Sequence, residues 1–513
     1  MLQARRRVRL RSYLLIFAVA AMALITGHLP LLQLPYYWDE TGQFIPAATD
    51  LYQTGALIAH SATPNVHPPG VLVWLALAWH LFGFGILTTR IAMLLFASFG
   101  ALATFLLAIE LSRGSPGAPA FAAVTLLYLC PLFYAQSMLA QLDMPAMGFT
   151  AIALLLFLQN RFRAAALTCV ALVMVKETGI VVPLVFAAWL LVERRREILW
   201  FLAPVGTLLL WLIALRHFTG HWFGNSGFAE YNIFYPLNPV RFLFALFRRL
   251  YYLLIGSGHF IGTLTFLWAW KRMPLLRDRP WRIAATLVAA HVLAVTILGG
   301  AVLERYLLPV LPILYAAFAV SMRALSEPRR RLAMGCLAAC LVAANFINPP
   351  YPFPFENNLM FVRFVDIERE AAFAADTYDG AVTTTFPMSA ALAHPNNGYL
   401  MLPHKVVEVP DFRSSTMAVL ALNPPPVMIV YNTETDPWHI RQSRPWQWFF
   451  GRYYNYERQM SALEISQQFN MRIARTWESR GFSMSLLVND QAVRPISRLS
   501  ATTLRLPGTR PTP

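Results

Sequence analysis

Two carboxylates, Asp39 and Glu40, stand side by side in the run Tyr36-Tyr37-Trp38-Asp39-Glu40, just beyond the first apolar stretch. Burying an unpaired carboxylate is costly, so an acidic pair wrapped in aromatics at a membrane edge needs partners or solvent. The pair reads either as a reaction site or as a solvated loop end in an interfacial aromatic belt. Other polar groups interrupt the apolar sequence at wide spacing: His67, Asp143, Lys176-Glu177 and Glu304-Arg305-Tyr306. Carboxylates can take a proton from an acceptor hydroxyl or hold a divalent cation through hard oxygens. Lysine and arginine can hold a phosphate, arginine in bidentate fashion. A base beside a phosphate clamp at a membrane surface suits transfer from a lipid-linked phosphate donor. Each group also has a plainer use: Asp143 as a helix cap, Arg305-Tyr306 as an interfacial anchor, His67 as a loop histidine.

The elements that must position these groups are membrane helices. The 513 residues are 57% hydrophobic and only 13% charged, about half the charge of a soluble chain. The apolar residues come in blocks, most of them near the ~20 residues that cross a bilayer. The net charge of +16 does not indicate nucleic acid. Its residues cluster in short loops, at Arg5–Arg11, Arg161 and Arg163, Arg194–Arg196, Lys271–Arg282 and Arg329–Arg331, which is the positive-inside pattern. Cys130, Cys169, Cys336 and Cys340 all lie in apolar blocks, and read as small membrane hydrophobes, not as a disulfide framework or zinc site. The first apolar run follows a basic segment without a small-residue cleavage site, and reads as a retained anchor helix.

The basic clusters order the spans. The first helix, about Tyr13 to Leu32, leaves the cytoplasm. Thr41 to Gly55 and Val71 to Phe82 are expected as interfacial or re-entrant helices, separated by the break His67-Pro68-Pro69-Gly70. Ile86–Leu111, Phe121–Gln136 and Met144–Leu158 alternate direction, which puts Asp143 on the side of Asp39. Ala164 to Val192 has basic clusters at both ends, so it is expected to cross twice, with Lys176-Glu177 at the tip of the hairpin. Ile198–Leu215, Phe242–Trp270, Ile283–Leu298, Leu307–Val320 and Leu332–Phe346 complete about eleven spans. After the linker Asn348-Pro349-Pro350-Tyr351-Pro352, strands are expected at Val427–Tyr431 and Ser483–Val488, and helices at Ala371–Thr377 and Met460–Ser479.

The run from Trp38-Asp39-Glu40 to His67-Pro68-Pro69-Gly70, with Leu81-Phe82-Gly83 and Thr89-Arg90, resembles the first outer loop of the membrane-embedded GT-C glycosyltransferases. It looks most like the branch holding the lipid A aminoarabinose transferases and the protein O-mannosyltransferases. Leu142-Asp143-Met144-Pro145 resembles that family's second acidic loop, and Arg305-Tyr306-Leu307-Leu308-Pro309 its late Arg-Tyr-x-x-Pro motif. The resemblance covers roughly residues 13 to 320. It implies that Asp39 is the catalytic base or the carboxylate that orients the acceptor, and that Asp143, with Glu40, assists it or touches a metal. It also implies a polyprenyl-phosphate sugar as donor and an inverting, single displacement. Lipid A transferases carry Glu-Lys before Pro-Pro; this chain has Val66-His67. His67 or Lys176 would then hold the donor phosphate, with Arg305 and Tyr306.

The expectation is an α-helical polytopic membrane protein of GT-C type with a C-terminal extracytoplasmic α/β domain. A transmembrane glycosyltransferase domain would occupy residues 1–347, with an outer loop at 33–85, an α/β domain 348–493 and a disordered tail 494–513. It would sit in the bacterial inner (plasma) membrane and move a sugar from a polyprenyl phosphate to a lipid, glycan or protein acceptor outside. The one cofactor left open is a divalent cation, Mg2+ or Mn2+, on Asp39 and Asp143. The rival readings are a transporter or lipid flippase, against which no inverted repeat is seen, and a membrane-anchored assembly subunit.

Overall fold

Apolar runs broken by basic clusters have nowhere to satisfy backbone polar groups in a bilayer except within helices, and helices dominate the first part of the chain. The computed structural model describes residues 2–112, 118–348, 355–433 and 443–491. The linker prolines from Pro349 on and the tail 494–513 lie outside the described residues. The chain divides into two compact units between Val362 and Arg363.

The first unit runs α1 (Leu2–Gly27), α2 (Ile45–Thr54), α3 (Gly70–Phe82), α4 (Ile86–Leu111), α5 (Ala118–Leu129), α6 (Pro131–Gln136), α7 (Asp143–Leu158) and α8 (Phe162–Val175). It continues with α9 (Val181–Val192), α10 (Leu202–Thr219), α11 (Ser226–Ala229), α12 (Pro239–Leu254), α13 (His259–Ala269), α14 (Arg279–Ile297), α15 (Leu311–Ser321) and α16 (Glu327–Ala344). Among the described residues, five helical stretches, Ile86–Leu111, Arg196–Thr219, Pro239–Ala269, Arg279–Ile297 and Glu304–Ala324, are long and apolar enough to cross a membrane, and six shorter apolar helices accompany them. The centre of this unit is tight. A Cβ on Gly100 of α4 would lie 2.5 Å from Met147 Cε, and one on Gly148 of α7 2.8 Å from Phe99 Cδ1. Small residues let these two helices approach closely, which is how helices associate without a hydrophobic driving force.

The segment from Ala164 to Val192 does fold back on itself. Lys176 is extended (φ −151°, ψ 125°) and ends α8, and a tight turn at Glu177–Ile180 leads into α9. At the opposite end the Arg195 guanidinium lies 5.6 Å from the Phe162 ring, so the two basic termini meet. Phe242–Trp270, by contrast, is not one helix. Ile255 leaves helical geometry, Ser257 takes φ +54°, and the chain breaks at Gly256-Ser257-Gly258 between α12 and α13. Two glycines around a serine outweigh the apolar run. In α16, Glu327 and Arg329–Arg331 take up the first turns, leaving residues 332–344 as its apolar part.

The second unit holds α17 (Met360–Ala375) and a five-stranded mixed sheet of order β2-β1-β3-β5-β4. Its strands are β1 (Val382–Thr384), β2 (Val406–Glu408), β3 (Val427–Asn432), β4 (Arg472–Ser479) and β5 (Phe482–Val488). The β1 strand is parallel to β2 and β3, whereas β5 runs antiparallel to β3 and β4. Both expected strands are present as β3 and β5, and Ala371–Thr377 falls at the end of α17. The helix expected over Met460–Ser479 is only half helix. It stops at Phe469, Asn470 closes it at φ +50°, and the rest is β4. Arg480 and Gly481, at φ +48° and +93°, make the tight turn that pairs β4 with β5. Such a turn fixes a hairpin more strongly than the mixed periodicity of Arg472–Ser479 favours helix.

Candidate active site

Glu40 and Arg90 form the foundation. Both are fully buried. Arg90 Nη1 donates to Glu40 Oε1 at 2.5 Å and to the Met138 carbonyl at 3.1 Å. Arg90 Nη2 donates to the Leu34 and Pro35 carbonyls, both at 3.1 Å. Glu40 also accepts from the backbone N–H groups of Ala140 at 2.6 Å and Tyr37 at 3.1 Å. One ion pair thus ties residues 34–40 to residues 138–140 through charge-assisted bonds. Glu40, expected beside Asp39 as a catalytic group, faces this pair instead, and its acceptor capacity is taken up in fixing the loop.

The loop so fixed presents Asp39. Trp38 before it takes φ +50°, and the turn after it, Glu40–Phe44, is a π-helix. Both are local costs of the kind found where a side chain must be aimed. Asp39 is 27% exposed and accepts from Arg305 Nη2. Arg305 is the hub of the cluster. Its Nη1 donates to Gln141 Oε1 at 2.7 Å and faces Glu356 Oε1 at 3.4 Å, and its Nε lies 3.5 Å from Asp143 Oδ2. Asp143 opens α7 without capping it; its carboxylate turns to Lys176 Nζ and to Arg305. Lys176 Nζ lies 4.3 Å from the centre of the Tyr306 ring, within cation–π range. Arg249 and Arg305 each stand 5.8 Å from that ring.

His67 is adjacent but separate. Its Nδ1 is 2.9 Å from Glu177 Oε2, and its ring lies against Phe44 and Phe228 at 6.0 and 5.7 Å. Gly70, three residues on, packs on the end of α8, where a Cβ would stand 2.5 Å from the Met174 carbonyl oxygen. That close approach places the His-Pro-Pro-Gly turn beside Lys176.

The structure therefore brings Asp39, Asp143, Lys176, Arg305 and Tyr306 into one cluster, with His67 one residue away through Glu177. Gln141, Glu356 and Arg249 belong to it and were not expected from the sequence. Arg249 carried a signal, a charge within an apolar run; Glu356 lies in a short polar segment with nothing to mark it. Glu304 points elsewhere, held bidentately by Arg248 at 2.6 and 3.0 Å. A divalent cation on Asp39 and Asp143 does not suit this donor set. Both carboxylates already bind cationic side chains, and among the described residues no three His, Cys, Asp or Glu side chains are grouped as metal ligands.

No protein-family model matches the chain, and neither does any curated protein. Solved structures do. ArnT from Cupriavidus metallidurans bound to undecaprenyl phosphate is similar over 94% of this chain and 99% of its own, with a TM-score of 0.54 and 15% identity. The apo state of the same protein is similar over 93% and 98%, with a TM-score of 0.54 and 14% identity. The likeness is one of fold and spans both units: the chain has the GT-C membrane fold with a small C-terminal α/β sheet.

Proposed function

We propose that this chain is an integral-membrane glycosyltransferase that moves a sugar from a polyprenyl phosphate to a hydroxyl or amine of a lipid, glycan or protein on the extracytoplasmic side. The observation that carries the reading is the partly exposed Asp39 on a buried cluster of Arg305, Asp143, Lys176 and Tyr306. The sequence order of basic clusters and a fold shared with a protein solved with undecaprenyl phosphate point the same way.

Asp39 takes the proton of the acceptor as its oxygen or nitrogen attacks the anomeric carbon. The bond from that carbon to the phosphate oxygen breaks on the opposite face, and the configuration inverts. The phosphate leaves with its bonding electrons, so cations must meet growing negative charge. Lys176, Arg305 and Arg249 around the Tyr306 ring are the groups to do so, with His67 held by Glu177 at the margin. Asp143 keeps Lys176 and Arg305 in place and ready to exchange a carboxylate for a phosphate. Glu40 is a positioning residue. No step is routed through a metal.

The test is binding of undecaprenyl phosphate to the full-length protein. Lys176→Ala should weaken it about tenfold, or about 1.4 kcal/mol. Affinity equal to wild type in this variant would remove Lys176 from the phosphate site.

A further inference from the structure

Between α16 and α17 the described chain includes residues 355–359, and the side chains of Glu356, Asn357 and Asn358 are bonded into the first unit at consecutive positions. Glu356 Oε1 accepts from Gln141 Nε2 at 3.0 Å and faces Arg305 Nη1 at 3.4 Å; its backbone carbonyl accepts from Gln136 Nε2 at 3.1 Å. Asn357 Nδ2 donates to Glu304 Oε2 at 2.6 Å. Asn358 Nδ2 donates to the carbonyls of Ala344 and Ile347 at 3.1 and 3.0 Å. Phe361 stacks on Tyr37, two residues before Asp39, at 5.4 Å. Glu356 is 2% exposed. A connecting segment ordinarily runs over the surface, and a buried carboxylate is costly unless it is paired. Glu356 shares Arg305 with Asp39 and Asp143, three carboxylates around one guanidinium.

We propose that Glu356 is a positioning residue that competes with the donor phosphate for Arg305, holding the guanidinium in place while the site is empty and restraining how tightly the phosphate binds. The inference rests on the donor reading above. Among the described residues, the charged groups around Glu356 are Arg305 and, through it, Asp39 and Asp143; Gln136 and Gln141 are neutral, and Asn357 leads to Glu304. Burial pushes the Glu356 carboxyl up to about 7, with Arg305 pulling the other way. The competitor is therefore ionised to a greater extent as pH rises, and phosphate binding is restrained more on the alkaline side.

The experiment compares the affinity of full-length wild type and Glu356→Gln for undecaprenyl phosphate at about pH 8 and about pH 6. The ligand's own ionisation is common to both proteins and cancels in the ratio. Glu356→Gln keeps an acceptor oxygen for Gln141 and loses the charge. It should bind about fivefold more tightly than wild type at the higher pH, and with a smaller gain at the lower. Equal binding at both values, or weaker binding by one factor at both, overturns the proposal and leaves Glu356 a purely structural group. Should Glu356→Gln not fold, Glu356→Asp withdraws the carboxylate by one methylene and should also bind more tightly at the higher pH; affinity no greater than wild type there overturns the proposal. No binding by wild type at either pH would overturn the donor reading and this inference with it, whereas binding with an unchanged ratio overturns this inference alone.

Discussion

Trp38 in a left-handed conformation, directly before a partly exposed aspartate, is where residue-scale cost is concentrated. A bulky residue at φ +50° persists only where its surroundings over-determine it. Here the surroundings are Glu40 and Arg90 behind the loop and Arg305 in front. Arg305 and Lys176 already balance Asp39 and Asp143, so removing divalent cations with a chelator should leave turnover within about twofold. A larger loss, restored by Mg2+ or Mn2+, would return a cation to those two acids. Much of this cluster was legible in the sequence for a physical reason. Charge inside apolar sequence is expensive and has to converge on partners or water, so Asp39, Asp143, Lys176 and Arg305 identify one another. Glu40 misled because adjacency to Asp39 in sequence does not mean a shared direction: one residue on, the side chain turns inward to Arg90. Glu356 could not be read, because a polar residue in a connecting segment gives no sign of burial.

At the scale of elements, two devices carry the site. The Glu40–Arg90 pair joins two loops that are distant in sequence, and the extended Lys176 splits α8 from α9 so that the lysine stands at a hairpin tip. Breaking a buried ion pair leaves an uncompensated charge. Glu40→Ala should therefore cost about 3–5 kcal/mol, seen as a lowered unfolding midpoint of the detergent-solubilised protein. An unchanged midpoint would mean that Arg90 finds other acceptors and that the loops are held otherwise. The hairpin was readable from charge alone, since basic clusters at both ends of Ala164–Val192 require an even number of crossings. The break in α12–α13 and the β4 strand were harder. Each depends on a few residues, Gly256-Ser257-Gly258 in one case and Asn470 with Arg480-Gly481 in the other, whose backbone preference overrides a longer pattern.

At the scale of the whole molecule, the second unit carries a buried carboxyl of its own. Glu368 lies on the inner face of α17, accepts from the Tyr399 hydroxyl at 2.7 Å through Oε2, and has no partner at Oε1 among the described residues. Burial pushes its carboxyl from 4.5 up to about 8. Between those values the folded state holds a proton that the unfolded state has released, so stability falls as pH rises through this window and levels off above it. Glu368→Gln should remove that dependence and stabilise the unit on the alkaline side, measured by hydrogen exchange of α17 amides in the full chain. A fall in protection with rising pH that is the same in the variant would exclude Glu368 as its source. The overall architecture was the most legible level. Hydrophobic blocks, basic loops and a late change to alternating polar sequence describe helices in a membrane followed by an α/β unit, because bilayer and water select on composition directly.

We propose that Asp39 acts in the chemical step. This role is tested most directly by wild type and Asp39→Asn in proteoliposomes supplied with labelled undecaprenyl-phosphate sugars and membrane-lipid acceptors, with turnover and binding of undecaprenyl phosphate measured on the same preparations. Turnover is expected to fall at least about a hundredfold, while binding is either tighter than wild type, because Arg305 loses a competing carboxylate, or weaker by no more than about threefold. Full turnover in Asp39→Asn, or parallel loss of binding and turnover, would contradict the proposal.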